Sequence, residues 1–328
     1  MENETHEELK EMEGNKLAVP ISIVIAGMII AAAMVYNNAN RMPQTQTLKD
    51  SEAQENVRAA AALEEAVLPS DGSILPVTWG NLGARLTSVG AIDADKFKAL
   101  YDQRGAFTNE YKNLLFGNND GKLKITKENA GYLLNLFWAL GLASKNPILE
   151  SGEMTNRAYG GPENFASTGG WTVAAGNPMD HYSRHLFFSL TEEQQIVVDK
   201  VSRGIYRPCC GNSTHFPDCN HGMAMLGLLE LMASQGVGEE EMYQTALTVN
   251  SYWFPETYLT IAQFMKDKGV LWKDVHPQEM LGIDYSSASG YAWVSSQVHG
   301  QEQQSGSGCG VDTGQSIAAP KQQSGCGV

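Results

Sequence analysis

Three cysteines and two histidines lie within residues 209–221, directly ahead of an apolar run over 222–233. Cys209, Cys210 and Cys219 carry the sulfur, and His215 and His221 sit among them. No other part of the chain gathers so many soft donors. Asp218 is expected to cap a helix over residues 219–235. That reading puts Cys219 in a first helical turn, where unpaired N–H groups and the positive dipole end favour thiolate. The eight residues between Cys210 and Cys219 are enough to bring all three sulfurs round one ion.

Cys209, Cys210, Cys219 and His221 together would make a closed tetrahedral zinc site. Soft sulfur holds copper(I) equally well, and an iron–sulfur cluster is conceivable. Asp218 and Asn220 would order the ligands from behind. The same spacing also fits a disulfide from Cys219 to Cys209 or Cys210. Such a bond would be either a structural staple or a redox centre with Cys219 as the attacking thiol. His215, and His181 with His185 four positions on, are further candidate ligands, and each reads equally as a surface or hydrogen-bonded core histidine. Met223, Met225 and Met232 fit the buried face of the helix better than a copper site. No GxSxG, HExxH or P-loop pattern is found, so no reaction is assigned.

Residues 17–36 form a run without a charged side chain, long enough as a helix for a bilayer core of about 30 Å. A signal peptide would start basic, and residues 1–16 are acidic. The expectation is a single uncleaved transmembrane helix in the plasma (inner) membrane. Lys10 and Lys16 before it balance Arg41 and Lys49 after it. The short leading tail then places the C-terminal part on the extracytoplasmic face. Acidic residues outnumber basic ones 37 to 23, for a formal net charge of −14, which argues against nucleic acid as a partner.

Residues 37–74 read as a stalk, with an Ala- and Glu-rich helical stretch over 52–66 that lacks an apolar stripe. Residues 75–298 read as an all-α helical-bundle domain. Residues 78–89 are expected to be its first helix, with Trp79, Leu82, Leu86 and Val89 on one stripe. Asn118, Asp120 and Gly121 resemble a calcium loop, but Phe116 and Lys127 fall where ligands should be, so a turn is expected. Residues 126–143 carry a broad apolar face. A long Gly-rich segment over 145–189 reads as an ordered irregular loop, because Tyr159, Phe165, Trp171 and Tyr182 interrupt it. Thr191 with Gln194 opens a further helix.

Residues 299–328 read as a flexible tail of Gln, Ser and Gly, in which Ser-Gly-Cys-Gly-Val occurs around both Cys309 and Cys326. The repeated thiols suggest contact with a protein partner or with the chain's own cysteine site. They would suit passing metal or electrons to or from it.

Over residues 207–252 the layout resembles membrane-tethered bacterial proteins with a cysteine-rich loop feeding a helical hairpin. These include the thiol reductase subunits of cytochrome c maturation and the lipoproteins with a PCYCGC motif. The shared elements are Arg207-Pro208-Cys209-Cys210, the helix after it, and the Gly236 to Met242 opening of the next helix. Cys209-Cys210 is not a CxxC, and Cys219-Asn220-His221 has no counterpart in the reductase pattern. The resemblance implies extracytoplasmic thiol or metal handling and transfers no catalytic residue. Three readings stay open: a soft-metal site, a thiol–disulfide oxidoreductase, and a disulfide-stapled interaction module.

Overall fold

The computed structural model describes residues 43–105 and 107–299. The run 17–36 and the tail cysteines Cys309 and Cys326 lie outside the described residues. The chain divides into two units, one to Ala62 and one from Leu63. Helix α1 (Pro43–Val67) ends in the second unit, where Val67 and Leu68 are buried and Glu64 pairs with Lys127 at 2.5 Å.

The expectation of an all-α fold with a membrane-crossing helix is corrected. Among the described residues, no helix is long and apolar enough to cross a membrane. The fold is also not purely helical, since β1 (Ser73–Gly80) pairs antiparallel with β2 (Asn119–Ile125) in a two-stranded sheet. The physical reason is a change of period at Gly80. Leu75, Val77 and Trp79 alternate inward in β1, and only after it do Leu82 and Leu86 share a face of helix α2 (Leu82–Ser88). Trp79 therefore belongs to a strand, with its Nε1 donating to the Leu114 carbonyl at 2.8 Å. Ser73 is set opposite Ile125 and Gly80 opposite Asn119, with two register shifts between them. The expected turn at Asn118 to Gly121 instead runs into β2.

Helix α3 (Ala94–Gln103) is capped by Asp93, whose carboxylate accepts from the amides of Asp95 and Lys96. Thr108 caps α4 (Asn109–Phe116). Helix α5 (Ala130–Ala143) is buried at every residue except Gly131. Asn146 then caps the short α6 (Pro147–Ser151). The Gly-rich segment continues through 3-10 turns, including Glu153–Thr155 and Pro178–Asp180. It is pinned by tryptophans: Trp138 Nε1 donates to Ser167 O at 2.6 Å, and Trp171 Nε1 to Ala91 O at 2.8 Å.

Thr191 and Gln194 form a reciprocal capping box on α7 (Glu192–Gly204). Helix α8 (Asn220–Ser234) follows the cysteine loop, then α9 (Glu239–Trp253) and α10 (Pro255–Asp267). Short helices α11 (Pro277–Met280) and α12 (Ile283–Ser286) lead to α13 (Ala288–His299), which packs on α10.

Helix α8 is the centre of the second unit. It is buried at every residue except His221 and Ser234, and it lies against α5, α7, α9 and β1. A helix apolar on all sides must be surrounded. Its closest neighbour is α5. A Cβ on Gly227 would lie 2.4 Å from the Phe137 carbonyl oxygen, and one on Gly141 would lie 2.1 Å from that of Met223. Only hydrogen fits at either place.

An acidic side chain of α8 lies within this core. Glu230 of α8 is fully buried and accepts a hydrogen bond from Asn146 Nδ2, while its Oε2 has no partner among the described residues. Burial pushes its carboxyl up to about 8, against the pull of the Asn146 hydrogen bond. The carboxyl is therefore protonated in the fold at pH 7, whereas the unfolded chain ionises near 4.5.

Two outcomes are expected. Gly227→Ala overpacks the α5–α8 crossing and should cost about 2–3 kcal/mol, read as a Tm lower by on the order of 5–10 °C. For Glu230, the stabilising effect is full below the unfolded value and is lost as pH rises through about 8. Urea unfolding should show stability falling by on the order of 4 kcal/mol between pH 4.5 and 8 from this group alone. Glu230→Gln should remove that slope, and a wild-type profile flat over the same range would contradict the assignment.

Candidate metal and thiol site

The loop between α7 and α8 is held by its backbone on three sides. Thr214 N donates to Ile205 O at 2.7 Å and His215 N to Ser202 O at 3.1 Å, which ties the loop to the end of α7. Ser167 N donates to Asp218 O at 3.1 Å from the irregular segment. Ala288 N donates to Cys210 O at 2.9 Å from the start of α13. The sulfurs are thus placed by three separate parts of the chain.

Cys219 is the N-cap residue of α8, one position ahead of its first turn, and its carbonyl accepts from Met223 N at 3.0 Å. Asp218 does not cap the helix as expected. Its carboxylate turns to Arg207 Nη2 at 2.5 Å and to Asn212 Nδ2 at 2.8 Å. Burial explains the difference. Arg207 is 0 % exposed, and a guanidinium in that position requires an anion more than the helix end requires a cap.

The same Nη2 reaches Cys210 Sγ at 3.1 Å and the Phe216 carbonyl at 3.2 Å. Nε and Nη1 of Arg207 have no hydrogen-bond partner among the described residues. The guanidinium lies against α8 at Gly222, where a Cβ would be 2.7 Å from Cζ. Burial alone would discharge Arg207, but Cys219, Cys210, Asp218 and Cys209 outweigh it and raise its pKa. The arginine is therefore a fixed positive charge beneath the thiols.

The sulfurs fall into two groups that share Cys219. Cys209 Sγ and Cys219 Sγ are in contact at 3.4 Å, a thiol–thiol distance rather than a bond. With a ring nitrogen of His221 they form one group whose donor atoms all lie within 4.8 Å of one another. Cys210, Asp218 and Cys219 form the other, at the same limit. The hydrogen bond with Cys209 pulls the Cys210 thiol down, but the bond with Cys219 and burial outweigh it, and the thiol is pushed up to about 11.

His221 stands against aromatic rings, with centroids 4.3 Å from Phe254 and 5.9 Å from Trp253. Its Nδ1 is buried and has no hydrogen-bond partner among the described residues. A buried imidazole nitrogen without a donor or acceptor is costly unless something else binds there.

The other histidines lie elsewhere. His215 is buried with Nδ1 at 2.6 Å from Glu153 Oε2 and Nε2 at 2.8 Å from Asp199 Oδ1, with Arg203 Nη2 alongside at 2.7 Å. Its nitrogens are taken up by carboxylates and clamp the loop to α7 and the irregular segment. His181 Nε2 donates to Ala175 O at 2.9 Å, so its Nδ1 accepts from His185 Nε2 at 3.2 Å. That pair sits at the end of α5, where His185 N donates to Ala143 O. Neither His181 nor His185 joins the sulfur groups. Sequence reasoning missed the aromatic wall around His221 and the hydrogen bond from Arg207 to Cys210. Arg207 beside the cysteines was the one signal for that bond. No thiol lines the surface cavity bounded by Glu239, Glu240, Tyr243 and His276.

No family model, curated protein or solved structure matches the chain.

The Arg207–Asp218 pair yields a stability prediction that separates buried from exposed charge. Asp218→Ala strands a buried guanidinium and should cost about 3–5 kcal/mol in urea unfolding. Asp102→Ala, at the exposed Lys98–Asp102 pair, should cost no more than about 1 kcal/mol. Equal losses would contradict the central role of Arg207.

Proposed function

We propose that the chain binds one soft metal ion through Cys209, Cys219 and His221. The observation that carries this is the convergence of two thiol sulfurs and one imidazole nitrogen within 4.8 Å at the N-terminal end of α8. The unpartnered Nδ1 of His221 agrees with it, since no hydrogen bond among the described residues engages that nitrogen and it is open to an ion. Sulfurs bound tetrahedrally to zinc at about 2.3 Å lie roughly 3.8 Å apart. The Cys209 and Cys219 sulfurs need to part only slightly from their 3.4 Å contact.

Charge balance favours zinc(II) over copper(I). Two thiolates and a neutral imidazole cancel a divalent ion, while Arg207 and Asp218 cancel each other. A monovalent ion would leave a net negative charge in a buried place. Cys210 stays out of the set on this reading, held on the arginine side by Nη2. A second cation among Cys210, Asp218 and Cys219 would face the Arg207 guanidinium directly, so one ion fits better than two. Three protein ligands leave a fourth position for water or an incoming donor, which suits an ion that is exchanged. The Cys209 side is half-buried and gives that donor a way in.

Zinc titration of the reduced, metal-free full chain tests the proposal. One zinc per chain is expected. Cys219→Ser and His221→Ala should each weaken binding by at least about 100-fold, while Cys210→Ser should keep the stoichiometry. A reduced chain that takes up no metal, or a Cys210→Ser variant as impaired as Cys219→Ser, would sink it.

A further inference from the structure

We infer that the site is redox-gated: Cys209 and Cys219 close into a disulfide, and closing it expels the ion. The inference rests on the metal reading above and adds which two sulfurs react, in what order and with what class of reagent.

Geometry selects the pair. Cys209 and Cys219 are already in sulfur contact at 3.4 Å. Cys209 and Cys210 are neighbours in sequence, and a trans peptide sets their Cα atoms about 3.8 Å apart, below the span of about 4.4–6.8 Å that disulfides adopt. Cys210 is restrained on both ends, its sulfur by Arg207 Nη2 at 3.1 Å and its carbonyl by Ala288 N at 2.9 Å. Closing Cys210 onto Cys219 would pull the sulfur off the buried guanidinium, whose Nε and Nη1 already have no partner among the described residues.

Exposure selects the order. Cys219 is 2 % exposed and Cys210 8 %, whereas Cys209 is half-buried. A reagent from solution meets Cys209 first. Cys219 sits on the rigid end of α8 and reaches Cys209 from behind. The sequence alone suggested Cys219 as the attacking thiol; the exposures argue for Cys209 attacking and Cys219 resolving.

The reagent is a low-molecular-weight aliphatic disulfide, R–S–S–R. The Cys209 thiolate attacks one sulfur, an S–S bond forms between Cys209 and RS, and the other RS leaves as thiolate. The Cys219 thiolate then attacks Cys209 Sγ, the protein disulfide forms, and the second RS leaves. The two protein sulfurs lose two electrons and the reagent gains them, and two protons from solvent give two RSH. The zinc ion is released because two of its three ligands are no longer thiolates. Reduction by the reverse exchange restores the site.

The test uses the full chain loaded with zinc, oxidised glutathione as the disulfide, a chromophoric zinc chelator, and peptide mapping by mass spectrometry. A Cys309→Ser/Cys326→Ser chain is run in parallel to remove the tail thiols. The expected result is a Cys209–Cys219 link in both chains, one zinc released for each link formed, and recovery of zinc binding after reduction. Cys219→Ser should trap glutathione on Cys209, whereas Cys209→Ser should leave Cys219 unmodified until the chain is unfolded in urea. A link to Cys210 or to a tail cysteine, a Cys209–Cys219 link that forms with zinc retained, or glutathione trapped on Cys210 would each overturn the gating while leaving the metal site standing. A reduced chain that binds no zinc would overturn both.

Discussion

Two glycines set the position of almost everything else in the second unit. At Gly141 and Gly227 the backbones of α5 and α8 touch, with no room for a single methyl group. Neither helix has a polar face to turn toward water, so each must be enclosed. Contact between backbones gives a short, stiff separation that side-chain repacking cannot alter. With α8 fixed along its length, its N-terminal end is fixed in space, and with it Cys219 and His221. The thiol site inherits its rigidity from a contact well inside the protein.

The loop that brings the other sulfurs is organised by charge rather than by apolar packing. Arg207 has no access to solvent, and Asp218, Cys210 and the Phe216 carbonyl share one of its nitrogens. A guanidinium there costs several kcal/mol of desolvation unless anions surround it. In the loop the Asp218 carboxylate meets that requirement. The arginine also makes the three thiols unequal. Cys210 becomes part of the charge network, and Cys209 and Cys219 are left facing each other and His221. His215 closes the other side of the loop by spanning Glu153 and Asp199.

Local patterns in the sequence were readable where the physics is local. Thr191 and Gln194 form their capping box within a single turn. The clustering of Cys209, Cys219 and His221 pointed to a site because few folds keep such near neighbours apart. Residues 78–80, expected as the start of a helix, misled for a definable reason. Trp79 belongs to a strand and Leu82 and Leu86 to a helix, yet their spacing mimics one helical stripe across the break at Gly80. Non-local facts left no trace. His215 is paired with Glu153 across 62 positions, which no spacing rule reveals. Asp218 looked like a helix cap because caps are local, and it was drawn away by an arginine whose burial depends on the whole unit. The same holds for Phe254 and Trp253, which reach His221 only once α9 has folded back on α8.

The hydrogen bond from Ala288 to the Cys210 carbonyl places the start of α13 against the cysteine loop. In synthesis, the loop leaves the ribosome well before that helix does. Chain growth of about 5–20 residues per second puts roughly 4–16 s between Cys210 and Ala288. During that interval the nascent loop lacks one of its backbone donors, and Tyr258 lacks Ser286, which meets its hydroxyl at 2.7 Å. The cysteine loop is thus among the last parts of the second unit to gain its full set of hydrogen bonds.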